Sequence, residues 1–280
     1  MEAVRDGRAP GAKFAAMTSP RLLVCSLLVL WGMPARMHLL AQQCDSSASP
    51  GAQPQPIHGC RPVSRTPHAV RWYEALAVAA TVPAAFLIDE PLQRYVQRHR
   101  GATSNDIASV FQHLGQPEVY ATVSLGTLAT GLILGKPGLT RAGGRLVASV
   151  VVSAAASESI KRLAGRARPD SGLGAFHFDP FGGSGSFPSG HTTCVFALAA
   201  SASDHLHSTW ATIGLYTIAT GTAFSRINDD HHWLSDTVLG AALGITSAKL
   251  MDGHWQIFGI RAPHFLVGPS GSGFTVSLRF

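Results

Sequence analysis

Residues 187–194 read FPSGHTTC, and an apolar run follows directly, CVFALAA from residue 194. A proline, serine, glycine and histidine thus stand together where a helix begins. Pro188 sets a turn, and Ser189 either caps the helix or donates its hydroxyl. Gly190 admits a ligand close to the backbone. The free N–H groups of a helix start attract anions, and His191 sits on the first turn beside them. An ordinary N-cap with a surface histidine would read the same way.

The rest of the chain sets the context. Of 280 residues, 46% are hydrophobic and 14% charged, low against the roughly 25% charge of soluble domains. The apolar residues are mostly Ala, Leu and Val among many Gly, Ser and Thr, a mixture that suits closely packed helices. A net charge of +6 and a pI near 9.5 fit anionic lipid or a phosphorylated substrate. Nucleic acid is not expected as a partner, because no basic run or aromatic-interleaved stripe is present.

Six apolar segments of helical length occupy about 72–88, 118–135, 145–163, 191–204, 209–224 and 232–250. None alternates as strands do. A shorter amphipathic helix is expected around 106–114. The fold class is therefore all-α: a six-helix core over 72–252, either membrane-embedded or a compact soluble bundle. After it, a tail over 253–280 carries two β-prone runs about a Gly/Ser turn, which reads as a hairpin.

Before the core, residues 1–41 hold a basic stretch and an apolar run from Leu22 to Met33. That run is too short to span a bilayer comfortably and resembles an export signal or an anchor. Residues 42–71 are Pro/Ser-rich linker. Cys44 and Cys60 in it could pair if exported, or be unrelated thiols. No CxxC pair points to zinc.

Two further stretches carry chemistry. In KRLAGRARP, 161–169, Lys161 and Arg168 lie two helical turns apart, and Pro169 pushes Arg168 out of the α region. They read either as cations aimed past a helix end or as snorkelling anchors, the reading given to Arg162 and Arg166. In SRINDDHHWLSD, 225–236, Arg226 precedes a helix on which His232 and Asp236 stand four apart. A carboxylate so placed fixes the imidazole tautomer through Nδ1 and leaves Nε2 free. A simple stabilising pair has the same spacing. His231 is left outside the site. Together the stretches supply three cations, a hydroxyl, a helix start and two imidazoles, an inventory that suits a phosphoryl group.

The three stretches match KxxxxxxRP, PSGH and SRxxxxxHxxxD at all eleven defined positions, in order. In this the chain resembles the superfamily of type-2 phosphatidic acid phosphatases, bacterial non-specific acid phosphatases and vanadium haloperoxidases, over about residues 72–250. The resemblance implies that His232 attacks phosphorus, oriented by Asp236, to form a phosphohistidine. His191 would protonate the leaving group and then activate water. Lys161, Arg168, Ser189, Gly190 and Arg226 would hold the phosphoryl oxygens. No metal or other cofactor is implied, although vanadate would fit the same cage.

The expected function is hydrolysis of a lipid phosphomonoester or diphosphate of the phosphatidic acid, undecaprenyl or lipid A type. A non-specific periplasmic acid phosphatase, a vanadium haloperoxidase and a non-catalytic phosphate- or lipid-binding membrane protein are the alternatives. Lys136, Arg141, Arg145 and Lys249 argue for a cytoplasmic end opposite the site, hence a site facing the periplasm or exterior. An export signal at 22–40 opposes this, because counting spans from it places the site in the cytoplasm unless some segments do not cross.

Overall fold

The structure, a computed structural model, describes residues 68–183 and 185–256, with the backbone of strands 264–267 and 274–277. The signal-like run, most of the linker, and Cys44 and Cys60 lie outside the described residues.

Among the described residues seven α-helices follow one another: α1 Trp72–Arg98, α2 Ala102–Leu114, α3 Pro117–Ile133, α4 Pro137–Ala164, α5 Gly190–Leu206, α6 Thr209–Asn228 and α7 Leu234–Met251. The six apolar segments account for six of them, and the amphipathic stretch forms α2. Proline opens α3 and α4 at their first turns, where its missing N–H costs nothing. Among the strands, β1 (His68–Ala69) runs parallel to β2 (Trp255–Gln256). β3 (His264–Val267) pairs antiparallel with β4 (Phe274–Ser277), the hairpin expected of the tail.

Helix α5 is the axis of the bundle. Every side chain from Thr192 to Ser201 is buried, and the helix packs on α4, α6 and, most closely, α7. Small residues permit the last contact: a Cβ added at Gly240 would stand 2.9 Å from the Ser189 carbonyl oxygen, and one at Gly244 2.9 Å from the Ala197 amide nitrogen. Phe196, Ile227, Leu234 and Ile245 fill the core between these helices. Each such side chain stabilises the fold by about 1.5–3 kcal/mol.

Among the described residues no helix is long and apolar enough to cross a membrane, so the expected embedding finds no span there. The longest helices, α1 and α4, carry Asp89, Glu90, Arg94, Glu158, Lys161 and Arg162. Large apolar side chains are nonetheless exposed on α1, α3 and α6: Leu87, Ile133 and Trp210 are 77%, 82% and 82% exposed.

Candidate active site

The site is built where α4 ends and α5 and α7 begin. Helix α4 stops earlier than Pro169 would require. Gly165 takes the left-handed conformation (φ 57°) and its N–H bonds the Lys161 carbonyl. A Cβ there would collide with the Asp179 carbonyl, so only glycine fits. The chain beyond is extended, and Arg168 adopts φ −79°, ψ 158°, as the following proline demands. Lys161 therefore lies on the helix and Arg168 on the segment after it, and both line one cavity of about 520 Å³ with Asp170, Leu173 and Phe181.

Lys161 reaches the helix start singled out above. A Cβ added to Gly190 would stand 3.2 Å from its Nζ. Burial lowers the Lys161 pKa, with Arg168 acting in the same direction. Ser189 is the N-cap of α5 but makes no side-chain cap; its Oγ accepts from Thr192 Oγ1 at 3.0 Å, which leaves its own proton to give. The Phe187–Pro188 peptide is cis. His191 is half-buried, and its pKa is lowered to about 4 by burial and by Arg226, His232, Lys161 and His231. His231, left out of the site on sequence grounds, thus acts on it electrostatically, and its own Nδ1 is buried without a partner.

Two placements differ from the sequence reading. Arg226 precedes α7, but from within the last turn of α6, where it bonds Asp229 Oδ2 at 3.1 Å. Its carbonyl accepts from the His231 and His232 amides. His232 is not on a helix face either. Trp233 is the N-cap of α7 and Asp236 its third residue. The Asp236 carboxylate reaches back to the Trp233 amide at 2.9 Å and to His232 Nδ1 at 3.4 Å. The contact at i,i+4 spacing comes from a helix cap, because an acidic third residue satisfies the free N–H groups ahead of it.

Arg166 was missed. Read as an interfacial anchor, it is instead fully buried. It donates to Asp236 Oδ1 at 2.6 Å, Asp89 Oδ2 at 2.8 Å, Ser235 Oγ at 2.6 Å and the Ala175 carbonyl at 2.8 Å. Its guanidinium lies 4.2 Å from the Phe86 ring centroid. Ser186 Oγ adds a 2.5 Å bond to Asp236 Oδ2. Burial alone would raise the Asp236 pKa; the His232, Arg166 and Ser186 interactions outweigh it and hold the carboxyl below the usual range. His232, wholly buried, is kept neutral by burial against the pull of Asp236. The glycine before Arg166, which ends α4, is the signal that it cannot share the helical face of Lys161.

A mainly helical fold thus presents cations, a helix start and a carboxylate-held imidazole at one end, an arrangement suited to an oxyanion. Residues 142–255 match the model of the PAP2 superfamily. It is 41% identical over 95 residues to a lipid A 1-phosphatase of Porphyromonas gingivalis, covering 32% of this chain and 18% of that protein. To a lipid A 1-phosphatase of Rhizobium etli it is 36% identical over 107 residues, 36% of this chain and 45% of that one. The chain thus matches less than half the length of both relatives. A solved transmembrane PAP2-type phosphatidylglycerolphosphate phosphatase of Bacillus subtilis is similar in fold, with TM-score 0.52 and 20% identity. It covers 65% of this chain and 95% of that one.

Proposed function

We propose that the chain is a phosphatase that hydrolyses a lipid phosphate through a phosphohistidine on His232. The observation that carries this is the juxtaposition of the Lys161 ammonium with the Gly190 helix start, where its neighbours Arg168 and Asp236 act on it electrostatically. Asp236, fixed by Arg166, Ser186 and the Trp233 amide, binds Nδ1 of His232 and turns Nε2 to phosphorus. The P–N bond forms as the P–O bond to the lipid breaks. His191 gives its proton to the departing oxygen, then takes one from the water that cleaves P–N. Lys161, Arg168, Arg226, Ser189 and the Gly190 amide hold the equatorial oxygens, each charge-assisted bond contributing about 1.5–3 kcal/mol. These donors neutralise the phosphate without a resident metal.

His191 needs a proton in the first step, yet in the free protein burial, with Arg226, His232, Lys161 and His231 beside it, holds it near pKa 4. A bound phosphate dianion reverses that field, so substrate recruits the proton with which it is cleaved.

The lipid part is supported by the names of the relatives and by the cavity rim. Leu173 and Phe181, 59% and 76% exposed, border the cavity, and Phe176, between them in sequence, is 65% exposed. Exposed apolar clusters of this kind meet acyl chains or a membrane surface. Lys136, Arg141 and Arg145 stand at the opposite end of α4 from the site, which supports a site on the side away from the cytoplasm. The test is phosphate release from a panel of lipid A, phosphatidic acid and water-soluble esters with chelator present. Lipid hydrolysis lost in His232→Ala supports the reading; undiminished hydrolysis in that variant overturns it.

A further inference from the structure

We propose that Asp204, His205, Asp252 and His254 form a second site, which holds a divalent transition-metal ion of the zinc type. The site lies at the other end of α5 and α7 from the catalytic groups, roughly 20 Å along α5 from His191. Asp204 and His205 close α5, Asp252 caps α7, and His254 leads into β2. One carboxylate oxygen from each aspartate and a ring nitrogen of His254 lie within 4.8 Å of one another.

The second observation is a set of buried atoms with nothing to bond. Among the described residues, Asp252 Oδ2, His205 Nε2 and His254 Nδ1 are all buried and unpartnered, and the Asp252 side chain is 0% exposed. His205 Nε2 stands 3.6 Å from Asp252 Oδ1 and His254 Nδ1 3.4 Å from Asp204 Oδ2, neither a hydrogen bond. Among the described residues, Asp252 receives only the Ser201 hydroxyl, at 3.1 Å. A buried carboxylate held by one neutral donor costs free energy unless a cation joins it.

Lys249 does not fill this role. Its Nζ is committed to Asp204, at 2.6 and 2.7 Å from the two oxygens, so one ammonium serves two carboxylates. Asp204 can keep Oδ1 on Lys249 and turn Oδ2, which already faces His254, to an ion. Two imidazole nitrogens with two carboxylates are the donors of Zn²⁺ rather than of Mg²⁺ or Ca²⁺, which favour oxygen alone. Tetrahedral zinc would draw its ligand atoms to about 3.3 Å apart, a closure of up to about 1.5 Å for the Asp204, Asp252 and His254 atoms that now lie within 4.8 Å of one another. The ion would then fasten both helix ends to the chain entering β2, which pairs with β1, and so clasp the bundle where its flanking segments leave it.

The test uses the full chain, stripped with chelator and freed of it, titrated with Zn²⁺ by calorimetry and with Co²⁺ by visible absorption. The expected result is one saturable ion, a tetrahedral Co²⁺ spectrum, and a Tm raised by about 5 °C at a hundredfold excess over Kd. His254→Gln and Asp252→Asn should each weaken binding at least about tenfold, while the double variant His191→Gln/His232→Gln binds as wild type. Asp252→Asn should also raise the Tm of the metal-free protein, since it removes the uncompensated charge. Binding unchanged in the first two variants, binding lost in the double variant, or no saturation would overturn the proposal. Should Asp252→Asn fail to fold, the Co²⁺ spectrum of wild type against His254→Gln decides.

Discussion

Arg166→Met puts the hidden support of the site to the test. The wild-type guanidinium is fully buried and stands between two buried carboxylates, 2.8 Å from Asp89 and 2.6 Å from Asp236. Methionine keeps much of the packing against Phe86 but removes the charge. Breaking one buried pair costs about 3–5 kcal/mol, and here two carboxylates lose the same partner. A loss near the upper end of that range is a large fraction of the roughly 5–15 kcal/mol that holds a domain folded. By thermal unfolding it should lower Tm by roughly 10 °C or more. Adding Asp89→Asn removes one orphaned charge and should restore part of the loss, so the double variant is more stable than Arg166→Met alone. Activity should not recover in parallel, because Asp236 still lacks its anchor and His232 its alignment; a misplacement of about 1 Å costs about a hundredfold in rate. Stability of Arg166→Met within about 1 kcal/mol of wild type, or further destabilisation by Asp89→Asn, would refute the reasoning.

Other expectations follow from the same geometry. Gly165→Ala forces a side chain into the left-handed region and against the Asp179 carbonyl, so unfolding should show a loss of about 1–3 kcal/mol and activity should fall as Arg166 and Arg168 shift. Phosphate or vanadate binding near neutral pH should take up a proton onto His191, measured by calorimetry in buffers of different ionisation enthalpy; His191→Gln should abolish the uptake. The free protein should lose stability as pH falls from about 6.5 towards 4. The folded His191 binds its proton less readily than the unfolded chain, so acid favours unfolding. Tm measured across that range in wild type and His191→Gln checks it, and the variant should show the shallower slope.

The helices were legible because their apolar runs have helical length, and α3, α4 and α5 also start with Pro or PSGH. The candidate site was legible where chemistry and spacing coincide, at Lys161, the PSGH turn and the His232–Asp236 pair. The sequence could not tell a helix face from a helix cap at His232, since both put a carboxylate four residues on. Arg166 stayed hidden because its partner Asp89 lies 77 residues away, at the end of another apolar run, and local pattern carries no record of that contact. The end of α4 at Gly165 turned on a collision with Asp179, again a tertiary fact.

The claim at the centre is that the imidazole of His232 becomes covalently phosphorylated. Labelled lipid phosphate, quenched rapidly at alkaline pH where phosphohistidine survives, followed by peptide mass spectrometry, measures it directly. The account predicts label on His232, accumulating when His191→Gln slows release. Label on another residue, or turnover with no phosphoenzyme in a protein whose His232→Ala variant still works, would contradict it.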